Sequence, residues 1–184
     1  MKELSLHILD IVENSISAHA NAIEILVTEH STEDLLQISI KDNGKGVDTE
    51  TVDKLTDPFF TSRTTRRVGL GLPLLKNAAE DCNGSLTIQS SPGKGTKVQV
   101  TFQNSHIDRM PMGDLAGTIL TLLVGSPEIS WFVGYCRDGD CFNLNSDEIH
   151  LALGALPVSD PNALKWLREY IQAGILEIQK NDSK

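Results

Sequence analysis

The chain has 184 residues, of which 40% are hydrophobic and 22% charged, and this balance is typical of a soluble globular protein with a core of useful size. Its net charge of −9 argues against nucleic acid and acidic membranes as partners, because the surface as a whole repels them. No apolar run reaches the ~20 residues of a membrane helix, and Met1 leads directly into a helical pattern instead of a secretion signal. We therefore expect a cytoplasmic protein that does not contact a membrane.

The first hundred residues alternate between helical and strand-like patterns. Apolar residues at helical spacing predict helices, and alternating apolar and polar residues predict strands. A polar, arginine-rich span without periodicity predicts a loop between two of the helices. In chain order, the predicted elements are helix 3–18, strands 22–29 and 35–42, helix 49–55, loop 58–68, helix 72–82, and strands 85–90 and 96–103. Strand pairs separated by helices predict an α+β sandwich, with helices covering one face of the sheet.

The remaining residues indicate a small C-terminal unit after a polar linker at 105–113. The predicted elements are helix 115–124, strands 129–136 and 141–145, a short helix from 147, and helix 161–173. The turn Arg137-Asp138-Gly139-Asp140 predicts a hairpin between the two strands. Both tryptophans and both tyrosines fall in this part of the chain. They indicate either a separate small core or packing onto the first domain, and a partner-binding surface is the third possibility.

The three cysteines, Cys82, Cys136 and Cys141, are an odd number without the spacing of a zinc site. We therefore expect reduced thiols.

Two motifs in the first fifty residues place polar groups beside apolar elements. On the first helix, Glu13 and Asn14 follow a buried stripe and should face a pocket, where a carboxyl group can activate water and an amide can coordinate Mg²⁺. At the end of the second strand comes Asp42-Asn43-Gly44-Lys45-Gly46-Val47, whose glycines let the backbone approach a ligand. The carboxylate of Asp42 can accept a hydrogen bond from an exocyclic amine such as that of adenine.

Two further motifs supply groups for phosphate. In Asp57-Pro58-Phe59-Phe60-Thr61-Ser62-Arg63, adjacent aromatic residues anchor a loop end and the arginine offers charge to phosphate oxygens. In Gly69-Leu70-Gly71-Leu72-Pro73, glycines before a helix expose backbone N–H groups to an anion.

Together, in this order, the four motifs resemble the N, G1, F and G2 boxes of the ATPase superfamily that includes histidine kinases, gyrase, mismatch-repair ATPases and ATP-dependent chaperones. The resemblance spans about residues 1–103 and includes the closing turn Gly93-Lys94-Gly95-Thr96. It implies a histidine-kinase-like ATP-binding domain at 1–104, with a mixed, mostly antiparallel sheet and helices on one face (a Bergerat-type fold). A linker at 105–113 and a small α/β domain at 114–184 would follow.

The resemblance also implies a role for each matching residue, with ATP and Mg²⁺ as cofactors. Asn14 would hold Mg²⁺, Asp42 would bind the adenine amine, Thr96 would support the adenine site through a water, and Glu13 would be the catalytic base. The other implied nucleotide-binding residues are Gly44 and Gly46 at the base, Gly69 and Gly71 at the triphosphate, and Val47, Phe60, Thr61, Arg63, Leu70 and Leu72.

The motifs do not single out one branch of the superfamily. The stretch from Phe59 to the closing turn looks like a histidine kinase, whereas Val12-Glu13-Asn14-Ser15 looks more like gyrase or mismatch-repair ATPases. A sensor kinase carries a phospho-accepting His upstream of this domain, so a complete sensor kinase is not expected from a chain that opens at Met1. His106 has an Arg and a Pro in the register of a phospho-histidine box, but Ile107 takes the place of the acid, and we interpret the match as chance.

Three functions remain open from the sequence. The leading hypothesis is an ATP/Mg-binding regulatory protein that acts as a kinase in trans on a partner protein. The alternatives are an ATP hydrolase gated by dimerisation, and a nucleotide-binding scaffold without catalysis. A homodimer is the oligomer that the superfamily favours.

Overall fold

A computed structural model describes residues 2–55 and 71–180, apart from the side chain of Asp53, and it shows one sheet with helices packed against it. The helices are α1 (Leu4–Ser17), α2 (Thr49–Leu55), α3 (Gly71–Glu80), α4 (Leu115–Gly125), α5 (Ser146–Leu153) and α6 (Pro161–Lys180). The strands are β1 (Ala22–His30), β2 (Leu35–Asp42), β3 (Ser85–Ser91), β4 (Gly95–Gln103), β5 (Ser130–Arg137) and β6 (Asp140–Asn145).

The six strands have the order β3-β4-β2-β1-β5-β6. Strand β5 pairs with β1 in parallel, and every other neighbouring pair is antiparallel. The sheet is therefore mixed and mostly antiparallel, as expected, and the predicted α+β fold is confirmed. Since β1 and β5 are parallel, the chain between them must cross over, and α4 lies in that crossover.

The core lies between the sheet and its helices because apolar residues occupy alternate positions of each strand. Ile23, Ile25 and Val27 of β1 are almost fully buried, as are the equivalent residues of β2, β4 and β5. These residues share one core with the apolar faces of α1, α4 and α6. Of the alternatives left open for the aromatic residues, packing onto the first part of the chain is therefore the one observed for Trp131 and Tyr135, which are 2% and 1% exposed.

The segment predicted as a linker holds the beginning of α1. The backbone N–H groups of Leu4 and Ser5 donate to the carbonyls of Pro111 and Met112 at 2.9 Å each. The first N–H groups of a helix have no partner within it, so this segment supplies what α1 lacks. The division into domains at 1–104 and 114–184 stays a prediction, and the sheet itself continues across that boundary.

Two expectations are corrected by the structure. Cys136 and Cys141 form a disulfide, so only Cys82 remains a thiol. Helix α6 continues to Lys180 instead of ending at 173. Its last turns bury Ile175 and Ile178, and Gly174, the first residue after the expected end, leaves space for the ring of Phe142.

No helix in the described ranges is both long enough and apolar enough to cross a membrane.

Candidate functional site

A cavity of about 310 Å³ lies between α1, the end of β2 and the beginning of α3. This is at the lower end of the volumes of small-molecule sites. Its lining contains Asp10, Ile11, Asn14, Ser15, Ser17, Ala18, Asp42, Lys45, Gly46, Val47, Thr51, Leu55, Gly71, Leu72, Ile88, Thr96 and Val98. The mixture of apolar walls with a few polar groups is the usual composition of a site for an organic ligand.

The carboxyl group of Asp42 is the polar centre of this cavity. The side chain is only 7% exposed, and both its oxygens are held by the surrounding elements. Oδ1 accepts from the backbone N–H of Gly44 at 2.8 Å and of Thr96 at 3.2 Å. Oδ2 accepts from the hydroxyl of Ser15 at 2.7 Å. Each carboxylate oxygen can accept two hydrogen bonds, so Oδ2 retains one acceptor position for a ligand donor.

The loop after β2 is clamped by the turn between β3 and β4. The N–H of Val47 donates to the hydroxyl of Ser90 at 2.9 Å, and that hydroxyl lies 2.9 Å from the hydroxyl of Thr96. The N–H of Gly93 donates to the carbonyl of Lys45 at 2.7 Å. The two segments therefore form one rigid wall of the cavity.

At two positions of this wall, the backbone conformation and a nearby carbonyl oxygen require glycine. Gly46 has a φ of +61°, and a Cβ there would lie 2.0 Å from the carbonyl oxygen of Ser91. Gly95 has a φ of +83°, and a Cβ there would lie 2.0 Å from the carbonyl oxygen of Asp42. Both positions combine a left-handed backbone with a close approach, which only glycine permits.

Asp10 and Asn14 project into the cavity from α1. They are four residues apart and so lie one above the other on the same helix face. Burial raises the pKa of the Asp10 carboxyl above its ordinary value. Its Oδ2 also lies 1.6 Å from the position that a Cβ would take on Gly71, so α3 begins directly against this side chain.

Most of the predicted ligand-binding residues in the described ranges meet at this cavity. The lining includes seven of them: Asn14, Asp42, Gly46, Val47, Gly71, Leu72 and Thr96. Gly44 is adjacent, since its N–H binds Asp42. The remaining predicted residues, Phe60, Thr61, Arg63, Gly69 and Leu70, lie outside the described residues.

Glu13, the predicted catalytic residue, is exposed and does not line the cavity within the described part of the chain. Its assignment stays a prediction, but the geometry favours Asp10, which the sequence analysis did not single out. The spacing carries a signal that was missed. Asp10, four positions before Asn14, shares its helix face. Glu13, directly before Asn14, lies about 100° away around the helix axis.

Ser15 and Lys45 were also missed as cavity residues. Ser15 fits the apolar stripe of α1 by spacing, and only the tertiary structure brings its hydroxyl to Asp42, 27 residues later. Lys45 also belongs to the lining, and it adds a positively charged residue there.

His106 lies away from the cavity. It follows the end of β4, whereas Thr96 and the cavity are at the beginning of that strand. Nine residues of extended chain place these two ends roughly 25 Å apart. His106 therefore lies well beyond contact distance of a ligand in the cavity.

Residues 2–106, more than half of the 184, match the family described as histidine kinase-, DNA gyrase B-, and HSP90-like ATPases. Among curated relatives, the chain is 31% identical over 106 residues to the sensor histidine kinase YxdK of Bacillus subtilis. It is 40% identical over 89 residues to the sensor protein kinase FleS of Pseudomonas aeruginosa. The matched residues are 55% and 48% of this chain but only 33% and 22% of those relatives.

Two solved structures have a similar fold. The N-terminal domain of a DNA repair protein is 20% identical and aligns with a TM-score of 0.60 over 84% of this chain and 58% of its own. The Aquifex aeolicus MutL ATPase domain complexed with ADP is 15% identical, with a TM-score of 0.52 over 92% of this chain and 70% of its own. Both alignments cover more of the chain than the family match does, so the fold likeness includes part of the C-terminal residues.

Proposed function

The chain belongs to the family of histidine kinase-, DNA gyrase B- and HSP90-like ATPases, and on this premise we propose that it binds Mg-ATP in the cavity and acts as a protein kinase in trans on a partner protein. It carries the ATPase domain of the histidine kinase type. The single observation that carries the proposal of nucleotide binding is the fixed carboxyl group of Asp42, with one acceptor position left at the cavity. The kinase activity is supported by the named relatives, and we propose the cytoplasm as its location.

The residues at one end of the cavity fit the adenine base. The Asp42 carboxylate would accept from the adenine amine, while Val47, Ile88 and Val98 offer apolar walls for the ring. The Thr96 hydroxyl, which lies beside Ser90, would hold a water at the edge of the base. The backbone contacts that fix Gly44 and Gly46 keep this end narrow.

The residues at the other end fit a phosphate chain with its metal ion. Asn14 offers an amide oxygen, a ligand type that suits Mg²⁺. Bound Mg²⁺ would neutralise phosphate charge. The N-terminus of α3 at Gly71 has N–H groups that can bind phosphate oxygens. We propose that Gly69, Leu70, Phe60, Thr61 and Arg63 complete this end.

Asp10 is the carboxyl group that we propose as the proton acceptor. It lies one helical turn before Asn14, and its raised pKa makes it a stronger base than an ordinary aspartate. It would accept the proton of the attacking group, which is a partner's side chain in the kinase and a water in a hydrolase. Because Asp10 serves a water equally well, ATP hydrolysis is the second candidate function.

The two functions are separated by following γ-labelled Mg-ATP. The purified chain is incubated with an extract of its source cells, and label bound to protein is separated from released phosphate. A kinase transfers label to a partner only when the chain is added, and the Asp42→Asn variant transfers none. Release of phosphate at the same rate with and without the extract, with no labelled protein, would establish the hydrolase instead.

The Mg²⁺ site is tested separately by binding. Asn14→Ala should weaken binding of Mg-ATP more than binding of ATP in a chelator. An equal loss in both conditions would remove Asn14 from the metal site while leaving the nucleotide site intact.

A further inference from the structure

A disulfide joins Cys136 and Cys141 across the β5–β6 hairpin. The two residues face each other directly in the antiparallel ladder, with their Cα atoms 4.1 Å apart. Trp131, Val133 and Tyr135 of β5 point into the core, so the next residue, Cys136, points to the opposite face of the sheet. Cys141 is exposed on that face. The disulfide thus lies on the face of the hairpin where Cys141 is exposed to solvent.

Because of its position, this disulfide adds little to the stability of the fold. It closes a loop of only four residues, Arg137 to Asp140, and a short loop gains little from a crosslink. The same hairpin is already closed by its strand pairing. Asp138 further fixes it to the β1–β2 turn, since its N–H donates to the carbonyl of Glu29 at 3.0 Å and its carboxylate accepts from the N–H of Ser31 at 2.8 Å.

We propose that Cys136 and Cys141 form a thiol–disulfide exchange site whose substrates are dithiols and their disulfides. A thiolate of the dithiol attacks the sulfur of Cys141, the more exposed of the two residues, and forms a mixed disulfide. The bond to Cys136 breaks, and the Cys136 sulfur leaves as a thiolate and takes up a proton. The second thiolate of the substrate then attacks the substrate sulfur that is bonded to Cys141. This breaks the mixed disulfide and releases Cys141 as a thiolate, which takes up a proton. The protein gains two electrons and two protons, and the dithiol becomes a cyclic disulfide.

The third cysteine has the opposite environment. Cys82 is 2% exposed, and burial raises the pKa of its thiol. The thiolate is the reactive form, so Cys82 stays inert in the folded protein. Exchange is therefore selective for the pair on the hairpin.

The exchange site is independent of the proposed nucleotide site. Cys136 is level with Thr28 near the end of β1, whereas the cavity lies at the end of the sheet where β1 begins. Six residues of strand separate Thr28, which lies opposite Cys136, from the beginning of β1 beside the cavity, a distance of about 20 Å. Nucleotide affinity should therefore be the same in the oxidised and reduced protein, so failure of either proposal leaves the other standing.

The test is a redox titration of the folded, full-length chain. The protein is equilibrated with graded ratios of reduced and oxidised dithiothreitol and then quenched with N-ethylmaleimide, and the labelled cysteines are located by mass spectrometry. We expect a single reversible two-electron transition in which Cys136 and Cys141 gain label together. Cys82 should gain label only after denaturation.

Either of two results would overturn the proposal. One is label on both hairpin cysteines at every ratio, which would mean that the bond does not form. The other is protection of both until the protein unfolds, which would make the bond purely structural.

Single variants check which sulfur is attacked first. Cys136→Ser leaves the exposed Cys141 free, and Cys141→Ser leaves the less accessible Cys136. The first variant should react with glutathione disulfide several-fold faster than the second. Equal rates, or a faster reaction of Cys136, would contradict the attack on Cys141.

Discussion

The hydroxyl of Ser15 donates a 2.7 Å hydrogen bond to Oδ2 of Asp42, which ties helix α1 to the end of strand β2. The carboxyl group therefore has a fixed orientation before any ligand arrives. A fixed acceptor costs no ordering when a ligand binds, and this supports the role proposed for Asp42 as the anchor of the nucleotide.

Asp42→Asn should reduce ATP affinity by at least about 10-fold, as expected for loss of a hydrogen bond to a charged group. The amide would retain an oxygen for the N–H groups of Gly44 and Thr96, and it would present a donor where the adenine amine needs an acceptor. Ser15→Ala, which removes the hydroxyl that orients the carboxylate but keeps the acceptor itself, should cost less, about 5-fold or roughly 1 kcal/mol. Calorimetric titration with ATP measures both, and unchanged affinity of Asp42→Asn would remove the adenine assignment.

Asp10→Asn should retain ATP binding and lose turnover by about 100-fold or more, the usual contribution of a general base. Glu13→Gln is the matched control, because it removes an equivalent charge three residues later on the same helix. It should retain most of the turnover, since Glu13 does not line the cavity in the described part of the chain. The opposite ranking of the two variants in the γ-labelled ATP assay would restore the assignment of Glu13.

His7→Leu should stabilise the protein, and more so at acidic pH. The Nδ1 atom of His7 is buried without a hydrogen-bond partner in the described structure, and such an atom costs about 1–3 kcal/mol. Burial also lowers the pKa of His7 below its ordinary 6.5. The unfolded chain therefore binds the proton more readily, so wild-type stability is lost as the pH falls below 6.5. Thermal unfolding between pH 5 and pH 8 should show a flatter dependence for the variant, and parallel curves would contradict this reading of His7.

Gly46→Ala should destabilise the protein more than Gly93→Ala does. Both glycines have positive φ, +61° and +73°, so both variants incur the cost of a left-handed alanine, about 1 kcal/mol. Only Gly46 adds a clash, with the carbonyl of Ser91 at 2.0 Å, whereas a Cβ on Gly93 meets nothing within 4 Å. Denaturant unfolding gives the difference, and Gly46→Ala should also weaken ATP binding. Equal losses of stability in the two variants would show that the cavity wall shifts to accommodate the added Cβ without cost.

A chain that ends after residue 113 should fail to unfold cooperatively. Strand β5 pairs with β1 along Ala22–Glu29, so its removal turns a central strand into an exposed edge. Helices α4 and α6, which share the core, would be lost as well. Calorimetry and size-exclusion chromatography of the shortened chain test this. A cooperative transition with a monomeric elution would instead support an independent domain at 1–104.

Much of the site could be predicted from the sequence because its groups lie in short, local motifs. Asp42, Gly44 and Gly46 fall within five residues, and their distances to each other are set by the backbone alone. Asp10 could have been found from its helical spacing to Asn14. Ser15 could not, because its role depends on a contact with a residue 27 positions away.

The elements themselves were predicted within a few residues, except at the end of α6. There the pattern of buried positions continues through Gly174, a residue that ordinarily weakens a helix. The ring of Phe142 from β6 packs against this glycine, and this contact between distant segments is not visible in the local sequence.

By itself, the sequence determined the order of helices and strands and the α+β class, because periodicity acts over a few residues, and its four motifs predicted a nucleotide site through their resemblance to an ATPase superfamily. The tertiary structure decided that β5 adds to β1 in the same sheet, that Asp10 and not Glu13 lines the cavity in the described residues, and that Cys136 and Cys141 are bonded. Each of these depends on strand register or on the rotation of a helix against its neighbours. Burial of the whole core fixes both, and no short segment can specify them alone.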